Sequence, residues 1–161
     1  MNDTVLIRTS LFQKHLDLGA KMVEYSFYEM PVSYAGLKIE HQAVREDVGM
    51  FDVSHMGEFT VKGPDATGLL QAITSNDVSK LFDGGIQYSC IPNGEGGIVD
   101  DLLVYREGEN DYLLVVNASN RTKDWKFIND KAQGLNVTLE DTTDDWTLIA
   151  LQGPKSTEKL T

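Results

Sequence analysis

Apolar residues along this chain come in short blocks, separated by glycine, proline and acidic turns. Residues 10–20 space their apolar positions as a short helix, with Ser10 able to cap its start and Gly19 near its end. Residues 21–38 are aromatic-rich and interrupted by Pro31 and Gly36, and read as irregular. A second helix is expected over 39–47, stopping before Gly49. A strand over 58–62 leads into Gly63-Pro64, with proline suited to a first helical turn, and a helix over 66–73. A strand over 88–91 precedes the turn-rich loop 92–97. Strands over 99–105 and 112–116 flank a polar loop of hairpin length. Asn117 is positioned to cap a helix over 118–131, on which Trp125, Ile128 and Ala132 share a face. Strands over 137–139 and 147–151 follow.

Strand pairs mixed with helices, rather than regular strand–helix alternation, predict an α+β fold of mostly antiparallel sheets flanked by helices. One internal similarity stands out. Residues 58–70 (EFTVKGPDATGLL) resemble 147–160 (TLIALQGPKSTEKL), each a strand, Gly-Pro and a helix start. The first copy is followed by three more strands and a helix, the second by nothing, so the chain is expected to be a fragment of a longer protein.

Composition narrows the function. The 161 residues carry a net charge of −11, which argues against nucleic-acid and anionic-membrane binding. The single cysteine, Cys90, allows no internal disulfide and reads as a small buried hydrophobe. No stretch approaches the ~20 apolar residues of a membrane span. The N-terminus lacks a basic n-region and the bias of a transit peptide, so a cytoplasmic location is expected.

The histidines, His15, His41 and His55, are not at metal-ligand spacing on one element, so a metal site is not expected. Asp52, Ser54 and His55 form a compact acid, hydroxyl and imidazole cluster. Without a G-x-S-x-G elbow, Asp52 and Ser54 read as turn residues bonding local backbone, and His55 as a partly buried structural group. Gly96-Gly97 lead into a strand, not the helix N-terminus that phosphate-binding loops require. The sharper candidate is the stretch GGIVDDLLVYR, residues 96–106. Asp100 and Asp101 sit where a loop becomes a buried strand, and consecutive strand residues point to opposite faces. One carboxylate is therefore expected to face a polar ligand and its neighbour solvent or a cap; solvation of both is the plainer alternative. Asn117 ends the next antiparallel strand and is placed to join this group. Tyr88 and Met56 offer the aromatic and soft apolar contacts that a flat heterocycle requires.

These motifs carry a resemblance. GMFDVSHMGEFTVKGP, YSCIPNGEGGIVDDLLVYR, YLLVVNASNRTKD and LIALQGP, with the N-terminal LFQKHLDLGAKMVEYSFYEMPVSY, are similar to the N-terminal part of the T proteins of the glycine cleavage system. That family comprises the tetrahydrofolate-dependent aminomethyltransferases. One departure is local: the family usually has Gly-Trp before Glu-Met-Pro, and this chain has Phe27-Tyr28. The resemblance implies two intertwined subdomains, residues 1–50 with 136–161 and residues 51–135, in a truncated form of the family's folate-binding fold. It implies transfer of a one-carbon unit from the aminomethyl-lipoyl arm of the H protein to tetrahydrofolate, with release of ammonia. The family's essential aspartate matches Asp101, and its folate contacts match Met56, Tyr88, Asp101 and Asn117. Other folate contacts of the family lie beyond Thr161.

Two rival readings share the scaffold: a demethylating domain of dimethylglycine or sarcosine oxidation, and a non-catalytic folate-binding protein of iron–sulfur assembly. The intact VDDLLVY and MFDVSHM stretches favour the transferase. With part of the pocket missing, this 161-residue chain alone is expected to bind folate weakly or not at all. Titration calorimetry with tetrahydrofolate checks this; a dissociation constant near ~1 μM, about −8 kcal/mol, would overturn it.

Overall fold

The computed structural model describes residues 5–161, so the first four residues of the N-terminus read above lie outside it. The chain runs through helix α1 (Phe12–Asp17), strands β1 (Lys21–Tyr25) and β2 (Tyr28–Ser33), helix α2 (Leu37–Glu46) and strands β3 (Gly49–Asp52) and β4 (Gly57–Lys62). Helix α3 (Ala66–Ile73), strands β5 (Ile86–Pro92), β6 (Ile98–Gly108) and β7 (Asp111–Val116) and helix α4 (Arg121–Lys131) follow. Strands β8 (Thr138–Asp141) and β9 (Ile149–Gln152) and helix α5 (Ser156–Leu160) complete it. Every pairing between these strands is antiparallel, as the α+β reading expected. Among the described residues no helix is long and apolar enough to cross a membrane.

Two compact units divide the chain. The second comprises Met56–Trp146; the first comprises the residues up to His55 together with Thr147–Thr161. Residues 138–141 belong to the second unit because β8 hydrogen-bonds to β4, pairing Lys62 with Thr138 and Phe59 with Asp141.

The second unit is a five-stranded sheet in the order β5-β6-β7-β4-β8. Its core is built by strand alternation. Phe59, Val61, Leu102, Val104, Tyr112, Leu114 and Val116 are buried with α3 and α4. On α3, Ala66, Leu69, Leu70 and Ile73 are all buried, an i, i+3, i+4, i+7 stripe that explains why 66–73 read as a helix. On α4, Ile128 is fully buried and Trp125 packs edge-on against Phe59, with ring centroids 4.9 Å apart, while Ala132 packs against the same core. Each such large apolar side chain stabilises the fold by roughly 1.5–3 kcal/mol on burial. The Tyr112 hydroxyl, buried with its ring, pairs with Thr67 Oγ1 at 2.6 Å.

Several expectations change. Residues 21–38 are not irregular: β1 and β2 form a hairpin in which Tyr25 pairs with Tyr28. Its two-residue turn, Ser26-Phe27, has φ of 50° and 70°, the left-handed pair of a type I′ turn. The usual Asn-Gly signal is absent, and Pro31 is tolerated because this sheet has only two strands, so both are edges. Helix α1 is shorter than 10–20. Ser10 does not cap it but pairs with Thr147 Oγ1, while Gly19 ends it as expected, with φ of 72°. Helix α2 starts earlier than 39 because Gly36 precedes it and Glu40 accepts from the Tyr34 and Gly36 N–H groups. Strands β6 and β7 reach Gly108 and Asp111, leaving Glu109-Asn110 as the turn. The Asn117 side chain makes no cap hydrogen bond: Asn117 precedes a 3-10 turn, Ala118–Asn120, and α4 begins only at Arg121. Cys90 is half-buried rather than a core residue.

The internal similarity is structural. Gly63 (φ 125°) and Gly153 (φ 136°) each turn a strand into a helix. After each, the second following residue donates its N–H to the chain entering beside it: Asp65 to the Asn136 carbonyl, Lys155 to the Asp47 carbonyl. A Cβ would stand 2.6 Å from the Asn136 oxygen at Gly63 and 2.4 Å from the Asp47 oxygen at Gly153. Both glycines are thus required by close approach as well as by φ.

Phe27 occupies the position where the resembled family carries glycine, and its φ of 70° explains that glycine. Its ring is 59% exposed, so little packing offsets the backbone cost. Phe27→Gly is expected to raise unfolding stability by about 0.5–1 kcal/mol in urea denaturation. A loss of stability would show that the ring, not the turn, governs the position.

Candidate functional site

Strand alternation sorts the β6 carboxylates. Asp101 pairs with Cys90 of β5 and shares its face with Leu103; Asp100 pairs with Ile91 and shares the core-side face with Leu102 and Val104. The two side chains therefore leave opposite faces, as expected. Leu102 pairs with Val116, which brings the next residue of the chain after β7, Asn117, alongside Asp101.

Asp101 is held from two directions. Asn117 Nδ2 donates to its Oδ1 at 2.7 Å, and the Tyr88 hydroxyl donates to its Oδ2. Tyr88 stands on β5, two residues before Cys90 on the same face. Its ring is 60% exposed. The hydrogen bond to Asp101, then burial, then neighbouring negative charge raise the Tyr88 phenol above its ordinary value, so it stays a neutral donor. Met56 immediately precedes Gly57, which pairs with Val116, so it stands at the Asn117 end of the sheet. Hydrogen bonds thus join three of the four expected residues, and Met56 is half-buried beside that group in the sheet order.

The neighbour does not face solvent. Asp100 Oδ1 accepts from Asn117 Nδ2 at 3.1 Å, so one amide spans both carboxylates. Burial raises the Asp100 carboxyl, but hydrogen bonds with Asp124 and Asn120, the Asp101 backbone and Asn117 outweigh it and hold Asp100 below the ordinary range. Asp124, on the first turn of α4, is fully buried. Burial first, then the hydrogen bond with Asp100 and that residue's charge, push it up to about 8. The sequence reading missed Asp124. Its only signal was an acidic residue one position before Trp125 on an amphipathic helix, and such positions are usually solvated.

In the Asp52 cluster Asp52 bonds local backbone, as expected, but the Ser54 hydroxyl bonds backbone distant in sequence. Asp52 Oδ1 accepts from the Ser54 N–H at 2.9 Å, and Ser54 Oγ exchanges hydrogen bonds with the Leu148 backbone. His55 packs against the rings of Tyr25 and Tyr28. His15 was not foreseen. Buried, it bridges Asp52 Oδ2 at 2.8 Å and the Tyr34 hydroxyl at 2.8 Å, while Thr9 Oγ1 donates to the same carboxylate oxygen. Burial raises Asp52, but hydrogen bonds from Ser54, His15 and Thr9 outweigh it and keep the carboxyl ionised.

The fold and site thus define an α+β protein that presents one oriented carboxylate, beside an exposed aromatic ring, on an open sheet face. The chain belongs to the GCVT N-terminal domain family, whose model matches residues 11–161. Among curated relatives, an aminomethyltransferase of Deinococcus deserti is 54% identical over 98% of this chain and 44% of its own length. One of Thermus thermophilus is 50% identical over 95% of this chain and 44% of its own. A crystal structure of glycine cleavage system aminomethyltransferase T from Bartonella henselae superposes with a TM-score of 0.91 at 33% identity, covering 96% of this chain and 43% of that one. The chain therefore spans under half the length of these relatives, and the resemblance read from its motifs holds.

A second buried carboxyl lies in the same sheet. Glu58 on β4 is 1% exposed, and among the described residues neither of its oxygens meets a hydrogen-bond donor. Burial pushes it up to about 7, against the pull of Arg121 and with the push of Asp141 and Asp144. The folded chain thus keeps a proton that an unfolded glutamate releases near pH ~4. Because the native state binds more protons across that interval, stability falls as pH rises from ~4 through about 7. Glu58→Gln is expected to remove up to about one proton's share of that slope, read from urea midpoints between pH 5 and 8. An unchanged slope would mean that Glu58 is ionised in the fold.

Proposed function

We propose that this chain is the N-terminal portion of an aminomethyltransferase of the glycine cleavage system. The whole protein transfers a one-carbon unit from an aminomethyl-lipoyl arm to tetrahydrofolate and releases ammonia. The supporting observation is the Asp101 carboxylate, turned to an open sheet face and held by Asn117 and Tyr88, in a chain whose relatives are named aminomethyltransferases. Neither rival reading gains support from those names.

Tetrahydrofolate would supply the ring nitrogens that receive the carbon. The residues present fit it. Asp101 offers a fixed acceptor for an N–H, the exposed Tyr88 ring offers a flat apolar surface beside it, and Met56 offers a soft contact at the same sheet end. Asp101 orients the acceptor's N–H and takes its proton as the carbon is bonded to the acceptor nitrogens, while the carbon's bonds to the departing amine and to the lipoyl sulfur break, leaving ammonia and a thiol; it also stabilises positive charge developing at the transferred carbon. Asn117 and Tyr88 each occupy one carboxylate oxygen, so the plane of the group is set before the acceptor arrives. The acidic balance of the chain, −11, leaves the basic groups that meet folate's own carboxylates to other parts of the protein. The partner in this reading is the lipoylated H protein, and the setting is the cytoplasm.

In a protein of the relatives' full length, Asp101→Asn is expected to lower turnover by ~10²-fold or more while leaving much of the folate affinity. Steady-state transfer assays and equilibrium folate binding separate the two effects. Turnover near that of the unaltered protein would exclude Asp101 as the catalytic group.

A further inference from the structure

Asp124 is a carboxyl with no donor of its own. It is fully buried, and among the described residues no N–H or hydroxyl reaches either of its oxygens. Asp124 interacts with the side chain of Asp100, whose Oδ2 is likewise buried without a donor among the described residues. Two carboxylates in contact cannot both stay ionised away from water, so a proton held between them is the donor that satisfies the pair. Its location follows from the other partners. Asp100 also interacts with Asn120, Asn117 and the Asp101 backbone, all of which favour charge on Asp100. Asp124 has none of these. The remaining charges near Asp124 are Lys123 on its own helix, whose ammonium donates to the Val99 carbonyl, and Asp101 on β6.

We propose that Asp124 is a positioning residue: a carboxylic acid that donates its proton to Asp100 and so fixes the Asp100–Asn117–Asp101 chain of hydrogen bonds that aims the Asp101 carboxylate. Asn117 has one amide group to divide between Asp100 Oδ1 at 3.1 Å and Asp101 Oδ1 at 2.7 Å. While Asp124 supplies a proton to Asp100, that amide is free to favour Asp101. When Asp124 ionises, near 8, Asp100 faces a like charge, and both its own orientation and its claim on Asn117 change. The site therefore carries an alkaline limit set by a residue that touches no substrate. This inference rests on Asp101 being the group that meets the acceptor.

The test uses the full-length protein and two readouts. Asparagine at 124 keeps a donor toward Asp100 but cannot titrate. With labelled side chains, the Asp124 carboxyl carbon is expected to titrate near 8 by NMR, and the Asn117 Nδ2 resonances to shift with the same midpoint. In Asp124→Asn those resonances should hold their low-pH position throughout, and turnover should stay within about threefold at pH 7 without the alkaline fall. In Asp124→Ala turnover should drop by about tenfold or more. Titration of Asp124 in the ordinary aspartate range, or Asn117 resonances indifferent to Asp124, would overturn the proposal even if the alanine variant fails to fold. Failure of the Asp101 reading would look different: turnover would survive Asp101→Asn while the Asn117 resonances still followed Asp124.

Discussion

The register of β6 against β7 is the constraint on which the candidate site depends. Pairing Leu102 with Val116 sets three things together. It turns Asp101 to one face and Asp100 to the other, it places Asn117 within reach of both, and it buries Leu102, Val104, Leu114 and Val116 as one apolar layer. A slip by one residue would put every core side chain of β6 on the wrong face, costing several residues' worth of apolar burial. The hydrophobic effect therefore holds the geometry of a polar site that by itself adds little stability. The hydrogen bonds around Asp101 are worth about 1–3 kcal/mol each at most, and in one register only.

Electrostatics at the same place is a matter of where protons sit. An acidic chain that buries Glu58 and Asp124 limits further negative charge inside by pushing those two carboxyls up to about 7 and about 8. Asp100 and Asp52 take the opposite course, because the hydrogen bonds they accept outweigh their burial. Charge in the interior is thus permitted where N–H and O–H groups converge and withheld where they do not. The distinction runs between neighbours in direct contact.

How much of this was legible in the sequence depended on whether a feature is local. Helix 66–73 could be read to the residue, because one apolar stripe fills a face and Gly63-Pro64 marks its entry. That Asp100 and Asp101 leave opposite faces was legible for the same kind of reason, since strand alternation is a property of the backbone; which of the two turns away from the core was not. The hairpin of β1 and β2 was not. Its turn uses Ser26-Phe27 at positive φ where sequence rules look for Asn-Gly or glycine, and Pro31 reads as a breaker. Asn117 was read both as a helix cap and as a partner of Asp101. Either use satisfies a polar side chain after a strand, and only the observed register decides between them. Asp124 and His15 stayed hidden because each matters through a partner distant in sequence, Asp100 for one and Asp52 for the other.

The first unit is discontinuous in sequence: β3 finds its partner in β9, and all of the second unit lies between them. Synthesis runs in one direction, so a ribosome releases Met56–Trp146 complete, with its five strands, before β9 exists. The second unit needs nothing from later in the chain to pair its strands, whereas Met50 and Phe51 of β3 wait for Leu151 and Ala150. Closing so long a loop adds only slowly to the entropy cost, and less still once the intervening segment has collapsed. The part of the molecule that carries Asp101 is thus a part that a growing chain can finish before β9, which then supplies the partner that β3 waits for.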